Sequence, residues 1–164
     1  SIITFDLEAN VLVPLTALDE LQVPEIVTPA SGPTHLGRAL EVLVQQMSSE
    51  VRRSSPYEKG DWAPFLFVMT DGKPSDTMLF EEQCHRVRAM NFASIIGCVA
   101  GPKARHEDLE SLCSHVVALD TMDQGSFTSF FRWVTSAISG GNKSMGTSAA
   151  VVLPPPPPEI QVVF

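Results

Sequence analysis

The chain lacks any apolar run of roughly 18 residues or more, the length a membrane span needs. It also lacks a basic-then-apolar leader of the signal-peptide kind. No membrane partner is expected. Cations are scarce, with 11 Lys and Arg against 19 Asp and Glu and a net charge of −8. That balance argues against a phosphate backbone, so no nucleic acid is expected. It suits cations or basic partner surfaces instead. Cysteine is scarce as well. Cys84, Cys98 and Cys113 form an odd set without CxxC spacing. They fit reduced, buried thiols in a cytoplasmic protein better than a disulfide framework. There is no Gly-rich phosphate loop and no internal repeat. The first residue is not Met and the chain opens in a strand-like run, so a missing upstream piece is expected.

What remains is enough for one domain: 164 residues, 44% of them hydrophobic. The run from Phe65 to Met69, bounded by Pro64 and Gly72, reads as a central strand buried on both faces. Residues 1–5 and 11–15 read as strands of a hairpin around a polar turn at 6–10. Residues 16–30 read as an irregular connection. Leu36, Leu40, Leu43, Met47 and Val51 give a helical stripe that should end near Ser54, before Pro56.

A second helix is expected over 77–90, with Phe80, Cys84 and Val87 inward. A buried strand follows at 93–100, a short helix at 106–114 and a strand at 116–119. A last helix carries Phe127, Phe130, Phe131, Val134 and Ile138 on its apolar face. Alternating helix and strand imply an α/β fold with a doubly wound, mostly parallel sheet. The domain is drawn at 1–139. Residues 140–164 read as a Gly/Ser linker and a flexible, proline-rich tail, whose last residues can add a strand to a sheet edge.

Two loops carry candidate chemistry. Asp71 ends the central strand, and the carboxyl ends of strands are where open α/β sheets bind ligands. Thr34 stands where a helix opens. One hydroxyl and one carboxylate are hard oxygens suited to Mg²⁺, although two protein ligands make a weak site. The plainer reading has Thr34 capping its helix, Asp71 steadying a turn, and Ser75 or Asp76 capping the next helix. From the residues alone the plainer reading is favoured. A Cys113/His115 nucleophile pair and a zinc site lack the third group and the ligand spacing they need.

The pieces ITFD at the start, VPLTAL at 13–18, SGPTHLGRALE at 31–41 and EKGDWAPFLFVMTDGKPSD at 58–76 carry a resemblance. AGP at 100–102, LDTMDQ at 119–124 and FFRWV at 130–134 add to it. In this order they resemble the von Willebrand factor A (vWA) domains, and among these the bacterial TerY-like tellurium-resistance proteins. The resemblance covers about residues 1–139. It implies a Rossmann-like vWA fold, a non-catalytic protein-interaction role in a bacterial tellurium-resistance or stress-response system, and a metal-ion-dependent adhesion site.

That site's second loop supplies a Thr, matched by Thr34, and its third an Asp, matched by Asp71. The implied ion is Mg²⁺, with Mn²⁺ or Ca²⁺ as alternatives. A carboxylate of a protein partner, for instance a kinase or phosphatase of the same system, would complete its coordination. The family's Asp-x-Ser-x-Ser motif, first strand and first helix are not in this chain, so ion binding should be weak or absent. Pro33 also stands where the family pattern has Gly. The alternatives are a metal-free scaffold and a metal-assisted hydrolase. The sheet, missing a strand between 1–5 and 64–70, should be unstable unless those two pair directly or 159–164 fills the gap.

Overall fold

The computed structural model describes residues 1–27, 32–101, 105–119, 121, 123–143, 154–158 and 160–163. They divide into two compact units. The first holds residues 1–62 and 74–90, the second residues 63–73 and 91–164. The fold is α/β, with a four-stranded, mostly parallel sheet. No helix among the described residues is long and apolar enough to cross a membrane.

The first unit opens with the expected hairpin, β1 (Ile2–Phe5) against β2 (Ala9–Val13), paired antiparallel. Its turn is shorter than the polar stretch suggested. The Asp6 N–H donates to Glu8 O at 3.0 Å and the Glu8 N–H to Asp6 Oδ1 at 2.9 Å. This local Asp turn closes the hairpin over residues 6–8 and draws Ala9 and Asn10 into β2. Pro14 then stops the strand two residues before Leu15, the expected end.

Helix α1 (Leu36–Glu50) packs on the hairpin and on α2 (Thr77–Arg88). It ends short of Ser54, because Val51 is extended and Asp61 captures the next amide: Arg52 N–H donates to Asp61 Oδ2 at 2.8 Å. Its buried face is Leu36, Gly37, Ala39, Leu40 and Val44, and Leu43 and Met47 sit half-buried beside it. The stripe is rotated because α2 crosses at Gly37. A Cβ there would stand 2.4 Å from Phe80 N and 2.8 Å from Leu79 C. On α2, Phe80, Cys84 and Val87 are buried as expected, with Gln83 among them.

The second unit is the sheet β3 (Phe65–Thr70), β4 (Ser94–Ala100), β5 (His115–Leu119) and β6 (Ile160–Val162), in that order. The first three are parallel, and β6 is antiparallel to β5. β3 is therefore an edge strand and not the central, doubly buried strand expected. Four of its six residues are only partly buried, whereas all seven of β4 are buried. An apolar run reports two apolar faces, but not how many strands flank it.

Among the described residues β1 pairs with β2, and the tail strand pairs with β5, so the tail takes a place at the far edge of the sheet from β3. Gly101 leaves β4 with φ 90°, a conformation that favours glycine. The short helix expected at 106–114 is one 3₁₀ turn, His106–Asp108, followed by turns that bury Leu109 and Leu112.

Helix α3 (Gln124–Lys143) buries Phe130, Trp133 and Val134 against Ile96, Cys98, Val117 and Ile160; Ala137 is also buried, and Phe127 and Ile138 partly so. Phe131 points outward at 56% exposure, contrary to expectation, since neighbours on a helix lie about 100° apart. α3 runs through residues 140–143, across the expected boundary at 139, while residues 144–150 lie outside the described set. Residues 154–158 and 160–163 of the tail make contacts within the second unit. Trp133 Nε1–H donates to Pro154 O at 2.8 Å, Ile160 is buried, and Val163 N–H donates to Val116 O at 2.9 Å.

Candidate functional site

Thr70 ends β3 with its side chain buried and its hydroxyl committed. It donates to Gly72 O at 2.9 Å and accepts from Gly72 N–H at 3.3 Å. That local turn lifts the next residue off the sheet. Asp71 stands exposed at the carboxyl end of β3, and no hydrogen bond is recorded for its carboxylate among the described residues. It belongs to the second unit.

Thr34 belongs to the first unit, in the loop before α1. Its N–H donates to Ser75 Oγ and its carbonyl accepts from Ser75 N–H, both at 2.9 Å. It does not cap its helix: the N-cap position is His35, and no side-chain cap bond is made there. His35 is tied to the hairpin turn, its N–H donating to Asp6 O and its Nδ1 lying against Leu7 O, each at 2.9 Å. The two expected ion ligands thus belong to different units.

The amides that a cap of α1 would satisfy are taken from a distance. Asp76 Oδ1 accepts from Gly37 N–H at 3.1 Å and Oδ2 from Arg38 N–H at 2.9 Å. Asp76 occupies the N-cap position of α2 but makes no side-chain bond there. Sequence proximity pointed Ser75 and Asp76 at their own helix, and the structure turns both toward α1. Carboxylate charge beside the positive end of α1 adds to the two hydrogen bonds.

A second polar cluster opens α3. Asp123 Oδ1 accepts from Ser126 N–H at 2.9 Å, Thr121 Oγ1 bonds Asp123 Oδ2, and Thr121 Oγ1 lies 2.8 Å from Ser126 Oγ. The Thr121 hydroxyl first, then the Ser126 backbone N–H, hold the Asp123 carboxyl below its usual value. Its contribution is present above the ordinary carboxylate range and lost as pH falls. This is a helix cap, the role its spacing dictates. Along α3 a shallow concavity is lined by Phe127, Phe131, Arg132 and their neighbours, all from the one helix.

Among the described residues, no three His, Cys, Asp or Glu side chains converge to hold a metal. Asp71 and Thr34 each carry a hard oxygen of the kind Mg²⁺ prefers, one in each unit.

The three thiols, Cys84, Cys98 and Cys113, are buried and free of disulfides, as expected. Burial in β4 pushes the Cys98 thiol from 9.0 up to about 12. The folded state therefore holds it neutral. Its effect is constant below about pH 9, and stability falls as pH rises from there toward 12, by roughly 1.4 kcal/mol per unit at most. Denaturant melts of the parent and Cys98→Ala should show a steeper alkaline loss in the parent. Equal slopes would contradict the assignment.

No family model, curated protein or solved structure matches this chain.

Proposed function

We propose that this chain is a non-catalytic protein-interaction domain of the vWA kind, in a bacterial tellurium-resistance or stress-response system. It would engage a partner's carboxylate through a weakly held Mg²⁺. The observation that supports this reading is the Asp71 carboxylate, exposed where a parallel strand ends and without a recorded hydrogen bond among the described residues. A structural Asp in a turn accepts backbone amides, as Asp6 and Asp61 do here. Asp71 does not, and its neighbour Thr70 makes the turn in its place. Thr34 is held by its backbone alone, so its hydroxyl is the second oxygen this reading assigns to the ion. Bound there, Mg²⁺ supplies positive charge that a partner's carboxylate can share. The protein's part is to present the Asp71 carboxylate, exposed at the end of β3.

Millimolar Mg²⁺ should raise the melting midpoint of the parent by a small, saturable amount, since a ligand that binds only the folded state stabilises it. Asp71→Ala should abolish the rise and Thr34→Val should reduce it. A rise that survives in Asp71→Ala would overturn the reading.

A further inference from the structure

We infer that residues 14–27 form a docking segment for an apolar groove rimmed by lysine or arginine on a partner protein. The segment leaves the hairpin at Pro14 and has neither helix nor strand. Within it the Glu20 N–H donates to Ala17 O at 3.0 Å and the Thr16 hydroxyl to Pro14 O at 2.8 Å. Yet its side chains are those of a core. Leu15, Leu18, Val23, Ile26 and Val27 are 57%, 86%, 60%, 49% and 82% exposed. Five such side chains within thirteen residues concentrate exposed apolar surface in one segment, and such surface marks a binding site when rimmed by polar groups.

Charge selects the occupant. Asp19, Glu20 and Glu25 are interleaved with the apolar residues, while Glu8, outside the segment, is paired with Arg38 at 3.7 Å. From Ser1 to Gly37 there is no lysine or arginine. A second copy would bring the same carboxylates face to face, and an anionic lipid surface would repel them. A basic rim around an apolar groove satisfies both features. An extended, irregular segment can order itself on such a groove as it binds. This surface uses neither Thr34 nor Asp71, so it goes beyond the ion-dependent reading and does not need Mg²⁺.

The test uses the full chain, in EDTA, and a labelled synthetic helical-hairpin peptide whose two helices enclose a leucine-lined groove rimmed by lysine. A peptide with glutamate for lysine is the charge control. Saturable binding of the lysine peptide alone is expected. The triple variant Leu18→Ser, Val23→Ser, Val27→Ser should weaken it by about tenfold or more. Glu81→Gln with Glu82→Gln, on the exposed face of α2, should change it by less than about twofold, which separates docking from general charge attraction. The triple variant's thermal melt should match the parent's, because the replaced side chains are in water.

Lack of saturable binding, equal binding by the triple variant, or an equal loss in the α2 variant would overturn the proposal. So would parent self-association or anionic-vesicle binding that the triple variant abolishes. Persistence of peptide binding in Asp71→Ala is expected and keeps this test separate from that of the ion site.

Discussion

Gly37→Ala should lower the stability of the first unit by roughly 2–3 kcal/mol, a large effect for one methyl group. On an isolated helix the same change is favourable by up to about 1 kcal/mol, because alanine is the better helix former. Packing reverses the sign. The new Cβ would lie 2.4 Å from Phe80 N and 2.8 Å from both Leu79 C and Phe80 Cα. These are backbone atoms of α2, so no rotamer change can relieve the overlap, and the helices must part. Parting them also strains the bonds from Gly37 and Arg38 to Asp76, which lie at the same junction. Gly32→Ala is the control, since nothing stands within 4 Å of its Cβ position. A denaturant midpoint for Gly37→Ala equal to that of Gly32→Ala would show that α1 and α2 do not meet as described.

Ending the chain at residue 153 should destabilise the second unit by about 3–5 kcal/mol. The truncation removes Ile160, which is buried against α3 and the sheet, and the antiparallel pairing of β6 with Val117–Leu119. It also takes the acceptor from the Trp133 indole N–H, part of a side chain that is otherwise core. Ile160→Ala isolates the packing share and should cost about 2–4 kcal/mol. Circular dichroism melting midpoints should fall in the order parent, Ile160→Ala, truncation. A truncation that melts with the parent would mean that the tail adds nothing to the sheet.

The elements that sequence located well are those whose signal is local. β4 and β5 are short apolar runs between breakers, and α2 begins and buries the side chains its spacing indicates. What sequence missed depends on partners far along the chain. The end of α1 is set by Asp61, its N-terminal amides by Asp76, and the edge position of β3 by the absence of a second strand neighbour. Helical spacing placed Phe130 and Phe131 on one face, though only Phe130 is core. That the last residues could add a strand to a sheet edge was legible, but not that β5 would be the strand that takes them. At the candidate site, Thr34 and Asp71 were readable as residues. The hydroxyl of Thr70 and the cross-helix clamp of Ser75 and Asp76 were not, since their partners are set by the fold.

The chain passes between its two units at 62/63, 73/74 and 90/91, three times in all. During synthesis α1 therefore emerges well before α2, the helix it packs against, and β3 emerges between them although its own partner β4 comes only after α2. Neither unit can be cut out of the gene as one uninterrupted stretch. A recombination or exon boundary placed anywhere from residue 62 to residue 91 would separate segments that belong together. The two units are inherited, translated and lost as a pair.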